Sequence, residues 1–285
     1  MGAAEGRVSA TTASYAHCRA VARTRARNFY YAFVLLDRQR RDSLCAIYAF
    51  MRHCDDLSDD AGATAAALDA WRDALVRSLN GTPPPDPLWP AFLDTVERYS
   101  IPHAYFHDMI DGVASDLGPV RMNSFDELYR YCYRVASVAG LSLTHIFGRR
   151  DPEALGLAEK CGIAFQLTNI IRDVKEDAAA GRVYLPREDM DRLGVTDADL
   201  NSECASDALR RLLRFEASRA ARYYEESRPL IRMVDRECQA SLWALIEIYS
   251  KLLARIEARK FNVMAGRIRL PAAAKLAILA RAMLH

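Results

Sequence analysis

The chain has 285 residues, of which 51% are apolar, and its 39 basic and 37 acidic side chains give a formal net charge of +2. A chain of this size buries a large core without disulfides, and its intermixed charges argue against a dedicated nucleic-acid-binding protein. Seven cysteines without a C-x-x-C pair match neither a disulfide framework nor a zinc site, and they indicate buried thiols in a reducing compartment.

The beginning of the chain, "MGAAEGRVSATTASY", has no apolar core of a secretory signal, so we expect residues 1–14 to be a flexible tail and the protein to be cytoplasmic. The sequence has no run of 18 uncharged apolar residues, so we predict no transmembrane segment. The arginine-rich stretch from Arg19 to Arg41 has two interpretations: peripheral contact with anionic lipid, or a solvated helix face, which we favour.

Helical periodicity dominates the chain. In "LCAIYAFMRHC" the apolar residues Leu44, Ile47, Tyr48 and Met51 recur at steps of three and four, and alternating strand patterns are scarce. The strongest break is the proline-rich "NGTPPPDPLWP" at 80–90. The periodicity predicts an all-α fold. We also predict one helical domain over 15–285, because the polar clusters described below lie on both sides of this break and are expected to act together.

The first chemically suggestive stretch is "RHCDDLSDD", from Arg52 to Asp60. A continuing helix places Arg52, Asp55 or Asp56, and Asp59 on one face. An exposed acidic helix end and a metal site are both consistent with this stretch. A calcium EF-hand is excluded, because its loop would need oxygen ligands at Leu57 and Ala61.

A second cluster favours the metal site. The stretch "FQLTNIIRDVKED" spaces four oxygen-bearing side chains at steps of three, four and four on one helical face: Gln166, Asn169, Asp173 and Asp177. An amide and carboxylates are hard oxygen ligands that suit Mg²⁺ better than zinc. Two such helices facing each other predict a Mg²⁺ cluster that holds a diphosphate.

Neighbouring residues extend this hypothesis. Arg52 and Arg172 are candidates for phosphate contacts, although Arg172 is equally consistent with a surface pair to Asp173 or Glu176. A shielded diphosphate is a good leaving group, and the carbocation left behind would be stabilised by aromatic faces. The candidates, each also consistent with an ordinary core position, are Phe29, Tyr30, Tyr31, Tyr48 and Phe165.

From about Tyr15 to Leu270 the sequence resembles the squalene/phytoene synthase family of head-to-head prenyl synthases. The resemblance rests on "NFYYAF", "YAFMRHCDDLSDD", "YCYRVASVAG" and "QLTNIIRDVKEDAAAGRVYLP", in that order. Asn28 departs from the pattern, because many relatives carry Ser there.

The resemblance implies the all-α isoprenoid synthase fold, with the two acidic motifs on opposite walls of a central cavity. It implies a catalytic set of Tyr48, assisting proton removal, with Asp55, Asp59, Asp173 and Asp177. It implies Mg²⁺ ligands at Asp55, Asp59, Asn169, Asp173 and Asp177. It implies substrate contacts at Phe29, Arg52, Val135, Ala139, Gly140, Gln166, Asn169, Arg172 and Tyr249. Arg267 or Arg269 is expected to reach phosphate, and Asp111 and Asp116 are either cavity or surface residues.

The implied reaction joins two prenyl diphosphates through a cyclopropyl diphosphate and releases diphosphate. We favour farnesyl diphosphate (C15) as substrate, giving presqualene diphosphate and, if NADPH supplies a reductive step, squalene. The alternatives are a phytoene synthase that uses geranylgeranyl diphosphate (C20), and a non-catalytic helical scaffold of the same fold. Small residues are expected to set the cavity depth that separates C15 from C20: Ala136, Ala139, Gly140 and Ala164.

Overall fold

A computed structural model describes the backbone of residues 2–26, 29–59 and 64–284, and the side chains from residue 10 onwards except residue 59. The prediction of an all-α chain is confirmed. Within these residues the strands are two dipeptides, β1 (Val120–Arg121) and β2 (Arg182–Val183), which pair in parallel.

The helices follow one another along the chain, and the connection between α14 and α15, at 259–271, is longer than most. They are α1 (Gly2–Arg25), α2 (Phe29–Phe33), α3 (Arg38–Asp59), α4 (Ala65–Leu79), α5 (Trp89–Arg98), α6 (Ala104–Ala114), α7 (Phe125–Cys132), a π-helical segment (Tyr133–Ser137), α8 (Val138–Phe147), α9 (Glu153–Ala179), α10 (Arg187–Leu193), α11 (Asp197–Leu200), α12 (Asp207–Ser227), α13 (Leu230–Met233), α14 (Arg236–Ala258) and α15 (Ala272–Ala282).

The first helix includes most of the segment that we expected to be a flexible tail. Helix α1 begins at Gly2, and the side chain of Ser14 is buried. The Ser14 hydroxyl donates a hydrogen bond of 2.5 Å to the Pro87 carbonyl and accepts one of 2.8 Å from the Ala91 amide. These bonds tie α1 to the proline-rich connection between α4 and α5 and to the first turn of α5.

The proline-rich break does not separate two cores. Trp89 and Phe92 of α5 are fully buried, and the Phe92 ring stacks on Phe50 of α3 with 4.6 Å between centroids. The ring centroid of Trp71 of α4 lies 4.7 Å from that of Trp89. Aromatic side chains from both sides of the break therefore pack into the same apolar core.

The cavity depends on close packing of the π-helical segment against α9. A Cβ atom on Gly162 would lie 2.5 Å from Cα of Ser137, so glycine is needed for this approach. A Cβ on Gly112 of α6 would come within 2.8 Å of the Arg134 side chain. The segment is thus clamped between α6 and α9, which fixes the direction of Val135 and Ala136 toward the cavity.

Candidate active site

A cavity of about 430 Å³ lies between α3, α8, α9 and α14. Its polar end is lined by Arg52, Asp55, Ser58, Asp116, Gln166, Asn169, Arg172, Asp173, Asp177 and Arg182. The remainder is apolar and includes Phe29, Phe33, Met109, Val135, Ala136, Ala139, Gly140, Leu143, Phe147, Ala158, Phe165, Leu242, Leu245 and Tyr249. One end suits a polyanion and the other a hydrocarbon chain.

Helix α3 contributes Tyr48, Arg52 and Asp55 to the cavity from three successive turns. The Arg52 guanidinium pairs with Asp56 and lies 3.9 Å from Asp55, while its Nε atom is buried without a hydrogen-bond partner. Burial raises the pKa of Tyr48 to about 12, so this phenol is neutral at pH 7. A cation and a neutral hydroxyl donor therefore sit beside the first carboxylate.

Helix α9 places all four predicted oxygen-bearing side chains on the cavity face: Gln166, Asn169, Asp173 and Asp177. Asn169 donates to Gln166 Oε1 at 3.4 Å, and its own Oδ1 atom is buried without a partner. Burial and the nearby Asp173 charge raise the pKa of Asp177 to about 7. An additional cation would bind the unpartnered amide oxygen of Asn169. It would also stabilise the ionised form of the Asp177 carboxylate.

Arginines already compensate part of the negative charge. Arg172 holds Asp173 through both of its oxygens, with an Nε–Oδ1 distance of 2.7 Å, and Arg267 reaches Asp173 at 3.0 Å. Among the side chains that the structure describes, no three His, Cys, Asp or Glu groups converge tightly enough to hold one ion. These residues fit Mg²⁺, because a protein usually gives each Mg²⁺ ion only one or two carboxylate ligands. Phosphate oxygens of a substrate would complete the coordination shell.

Two buried tyrosines at the polar end, Tyr131 and Tyr184, were not predicted as site residues, whereas Asp116 was predicted as either a cavity or a surface residue. Asp116, which is 9% exposed, accepts hydrogen bonds from Tyr131 (2.9 Å) and Tyr184 (2.8 Å), and the two rings stack with 4.7 Å between centroids. Burial raises the pKa of both phenols, so both remain neutral donors. Both tyrosines lie in quoted motifs, "YCYRVASVAG" and "GRVYLP", and this was the only signal that could have found them.

Aromatic rings line the entrance to the apolar part. Phe165 stacks on Tyr249 with 4.2 Å between centroids, and Phe29 lies 5.5 Å from Tyr249 and 6.4 Å from Tyr48. Tyr30 and Tyr31 are not among the lining residues; instead, Lys275 lies over the Tyr31 ring at 5.2 Å. The aromatic surface offered to a ligand is therefore built by α2, α3, α9 and α14.

The remaining predicted residues divide between the cavity and other positions. Val135, Ala136, Ala139 and Gly140 line the cavity, whereas the expectation for Ala164 was wrong, because this residue is buried in the core on the other side of α9. Asp111 lies outside the lining and pairs with Arg72 at 2.6 Å. Of the two C-terminal arginines, Arg267 pairs with Asp173 and Arg269 does not line this cavity.

Two predicted positions cannot be placed. Asn28 lies outside the described residues, and Asp59 ends α3 with its side chain outside the described set. Within the described part of the chain no helix is long and apolar enough to cross a bilayer. Six of the seven cysteines are buried and Cys204 is exposed, and all are free thiols.

Several arginines of the stretch from Arg19 to Arg41 form ion pairs within the protein. Arg19 bonds to Asp42 at 2.6 Å, and Arg25 bonds to Asp56 at 2.7 Å. Arg40 contacts Asp235 at 2.7 Å. Intramolecular ion pairs thus neutralise part of this positive charge, and the lipid interpretation stays a prediction.

Comparison with known proteins gives consistent results. The family model for squalene/phytoene synthase matches residues 11–274. A phytoene synthase of Mycobacterium tuberculosis is 39% identical over 95% of this chain and 90% of its own, and a 15-cis-phytoene synthase of Synechococcus elongatus is 34% identical over 95% and 93%. Chloroplastic phytoene synthases of Zea mays, Arabidopsis thaliana and Solanum lycopersicum are also similar, but the chain spans only 63% to 66% of their length.

Among solved structures, a dehydrosqualene synthase in complex with ligand superposes with a TM-score of 0.91 at 30% identity, covering 98% of both chains. This agreement confirms the isoprenoid synthase fold that the motifs implied. The cavity with its two acidic walls, the family match over nearly the whole chain and the identities above lead to one conclusion: the chain belongs to the squalene/phytoene synthase family.

Proposed function

We propose that the protein condenses two molecules of geranylgeranyl diphosphate head to head and forms phytoene, in a reaction that depends on Mg²⁺. The observation that carries this proposal is the cavity itself, which joins a carboxylate- and arginine-lined end to a long apolar wall. The curated relatives reported above, which are named phytoene synthases, support the C20 substrate over the C15 substrate that we favoured from the sequence.

Helix α9 rises by about 22 Å from Asp173 to Ala158, both lining residues. About half of this length, from Asp173 to Gln166, belongs to the polar end, so the apolar part of this wall, from Phe165 to Ala158, rises by about 10 Å. The α9 wall alone therefore does not separate a C15 from a C20 chain, and the choice of the C20 substrate depends on the named relatives.

The residues that would hold Mg²⁺ are Asp55, Asn169, Asp173 and Asp177, together with the predicted ligand Asp59. Bound Mg²⁺ would neutralise the diphosphate and make it a better leaving group. The orphan Asn169 Oδ1 and the raised pKa of Asp177 support a cation at this place. Arg52, Arg172 and Arg267 are positioned to contact the remaining diphosphate oxygens, with Arg172 and Arg267 exchanging part of their bonding from Asp173 to the ligand.

In the first half-reaction the allylic C–O bond of one substrate breaks and diphosphate leaves. The double bond of the second substrate attacks the resulting cation, and loss of a proton closes the cyclopropane ring. The faces of Phe29, Phe165 and Tyr249 stabilise the positive charge, and the apolar lining keeps water from quenching it. In the second half-reaction the cyclopropyl diphosphate ionises, rearranges and loses a second proton, so no reductant is consumed.

The neutral phenols serve as hydrogen-bond donors in this scheme. Tyr48 has a pKa raised to about 12, which makes it a poor proton acceptor at pH 7. We therefore assign Tyr48 to hydrogen bonding with a diphosphate oxygen and not to proton removal. Tyr131 and Tyr184, held by Asp116, present a second pair of hydroxyl groups at the same end.

A second candidate uses farnesyl diphosphate and forms a C30 product. It is favoured by the similarity to the dehydrosqualene synthase structure, which covers 98% of both chains. The two candidates share every residue role above and differ only in the length of hydrocarbon that the cavity accepts.

The test is a product assay by mass spectrometry with purified protein, Mg²⁺ and either C15 or C20 diphosphate, each with and without NADPH. We expect a C40 hydrocarbon from the C20 substrate, independent of NADPH. A C30 product only from the C15 substrate would replace our proposal with the second candidate. No product from either substrate would favour the non-catalytic scaffold.

A further inference from the structure

A second cavity, also of about 430 Å³, lies at the end of α14 and in the loop that follows it. It is lined by four arginines, Arg255, Arg259, Arg267 and Arg269, together with Asn262 and small or apolar residues. None of its described lining residues is acidic. We call this group of four guanidinium groups the arginine pocket.

Three of the four arginines are uncompensated. Within the described residues, Arg255, Arg259 and Arg269 have no carboxylate within ion-pair distance, whereas Arg267 bonds to Asp173 and Glu176 at 3.0 Å each. Four like charges around one concave space repel each other unless an anion or solvent screens them. The pocket thus has the charge and the fork-shaped donors that suit a phosphate-type anion.

The position of the pocket relates it to the first cavity. Arg267 lines the pocket and also contacts Asp173, which lines the polar end of the candidate active site. One guanidinium group therefore connects an outer, positively charged depression with the inner site where a diphosphate is expected. A clustered positive charge at such a place raises the local concentration of anionic ligands and increases their rate of association.

We propose that the arginine pocket is a separate anion site that binds diphosphate groups outside the catalytic cavity and passes them inward past Arg267. Its ligand chemistry is a phosphate polyanion, either the diphosphate of an incoming substrate or the inorganic diphosphate that is released. The transfer role rests on the proposed function, whereas the binding of a diphosphate does not.

The experiment is a calorimetric titration of inorganic diphosphate into the full-length protein without divalent metal, at low and at physiological salt. The test variant is Arg259→Gln/Arg269→Gln. The matched control is Arg232→Gln/Arg236→Gln, which removes the same charge from exposed arginines near the opposite end of α14. Circular dichroism melting of all three proteins checks that they are folded.

We expect the test variant to bind diphosphate about five- to tenfold more weakly than wild type at low salt, and the control to remain within about twofold. Equal losses in both variants, or no loss in either, would overturn the site. A parallel sedimentation assay uses vesicles with and without phosphatidylglycerol, because lipid headgroups share the phosphate chemistry. Binding of the wild type to anionic vesicles without binding of soluble diphosphate would also overturn the proposal.

The kinetic arm separates the site from the proposed function. With prenyl diphosphate as substrate, the test variant should lose more in kcat/KM than in kcat, and the loss should shrink as salt rises. If wild type makes no product from any prenyl diphosphate, the proposed function fails, but the titration with inorganic diphosphate still decides the anion site.

Discussion

The rings of Phe165 and Tyr249 stack face to face, with 4.2 Å between their centroids and 8° between their planes. Phe165 belongs to α9 and Tyr249 to α14, so the contact joins two walls of the cavity near its polar end. Phe29 approaches the same pair from α2, at 5.5 Å from Tyr249 and 6.4 Å from Phe165. The three rings form an aromatic surface where a carbocation would arise after diphosphate departs.

The first prediction concerns this surface. Replacing Tyr249 by Leu should lower kcat about 5- to 30-fold, because a desolvated cation–π contact contributes about 1 to 2 kcal/mol. Tyr249→Phe keeps the ring and should retain most of the activity. Steady-state kinetics of product formation compare the two variants, and equal kcat values for Leu and Phe would contradict an electronic role of the ring.

A second prediction separates the candidate metal site from its neighbouring ion pair. Asp173 and Glu176 both contact Arg267 at 3.0 Å, but Asp173 lines the cavity and the side chain of Glu176 is 53% exposed. Asp173→Ala should reduce Mg²⁺-dependent turnover at least about 100-fold. Glu176→Ala should change it less than about threefold, since an exposed ion pair contributes little.

The measurement for this pair is turnover as a function of Mg²⁺ concentration, with melting temperatures as a folding check. Near-wild-type turnover of a folded Asp173→Ala protein would refute the assignment of Asp173 as a ligand. A loss of the same size in Glu176→Ala would indicate that Arg267, held by both carboxylates, is what matters.

Much of this site was accessible from local sequence patterns. The steps of three and four in "YAFMRHCDD" and "QLTNIIRDVKED" correctly placed Tyr48, Arg52 and Asp55 on one cavity wall and Asn169 and Asp173 on another. A helix defines its own faces, so residues within one helix can be placed relative to each other from sequence alone.

What the sequence could not provide are contacts between distant segments. Asp116 meets Tyr131 across 15 residues and Tyr184 across 68, and no local period encodes either bond. The error at Ala164 has a simple geometric reason: this residue follows Gly162 by two positions, which turns its side chain about 200° around α9, away from the cavity.

A third prediction tests the close approach of α9 to the π-helical segment. Gly162→Ala should lower the free energy of unfolding by about 1 to 3 kcal/mol, because its Cβ would lie 2.5 Å from the backbone of Ser137. Gly156→Ala, on the same helix with no atom within 4 Å of its Cβ, should instead stabilise by about 0.5 to 1 kcal/mol. Urea denaturation measures the free energy of unfolding of both variants. Similar changes in Gly162→Ala and Gly156→Ala would contradict the tight contact.

A fourth prediction concerns chain-length selection. Gly140 of α8 faces Ala158 of α9, with 3.1 Å from an added Cβ to the Ala158 carbonyl oxygen, and Gly162 faces Ser137. The two helices are therefore antiparallel here, so the lining residue Thr144 lies about 6 Å beyond Gly140, away from the diphosphate end. A larger side chain at this position should shorten the apolar part of the cavity.

Thr144→Phe should shift the ratio of kcat/KM for C20 over C15 diphosphate toward C15 by at least about tenfold, because the last isoprene unit no longer fits. Thr144→Val keeps the volume and removes the hydroxyl that donates to the Gly140 carbonyl at 2.8 Å, so it controls for that bond. Competition assays with mixed substrates measure the ratio. An unchanged ratio in a folded Thr144→Phe protein would show that the hydrocarbon chain of the substrate does not end near Thr144.

The last prediction is a pH dependence of stability at a site remote from the cavity. Glu216 of α12 is 1% exposed, and its Oε1 atom accepts a bond of 2.7 Å from Arg219, which also pairs with the buried Asp189 of α10. Two buried carboxylates thus share this arginine, and the Oε2 atom of Glu216 has no partner. Burial raises the pKa of Glu216 to about 7, with the Asp189 charge contributing in the same direction.

In the unfolded chain this carboxyl ionises near its ordinary pKa of 4.5, whereas in the native state it keeps its proton until about pH 7. The native state therefore binds more protons between these values, and its stability falls as pH rises from about 4.5 to about 7. The contribution is of order 3 kcal/mol. Glu216→Gln, which is neutral at every pH, should remove this pH dependence, so the variant should match wild type near pH 4.5 and become increasingly more stable than wild type as pH rises to about 7. A difference that is constant from pH 5 to pH 7.5 would mean that Glu216 is already ionised in the native protein.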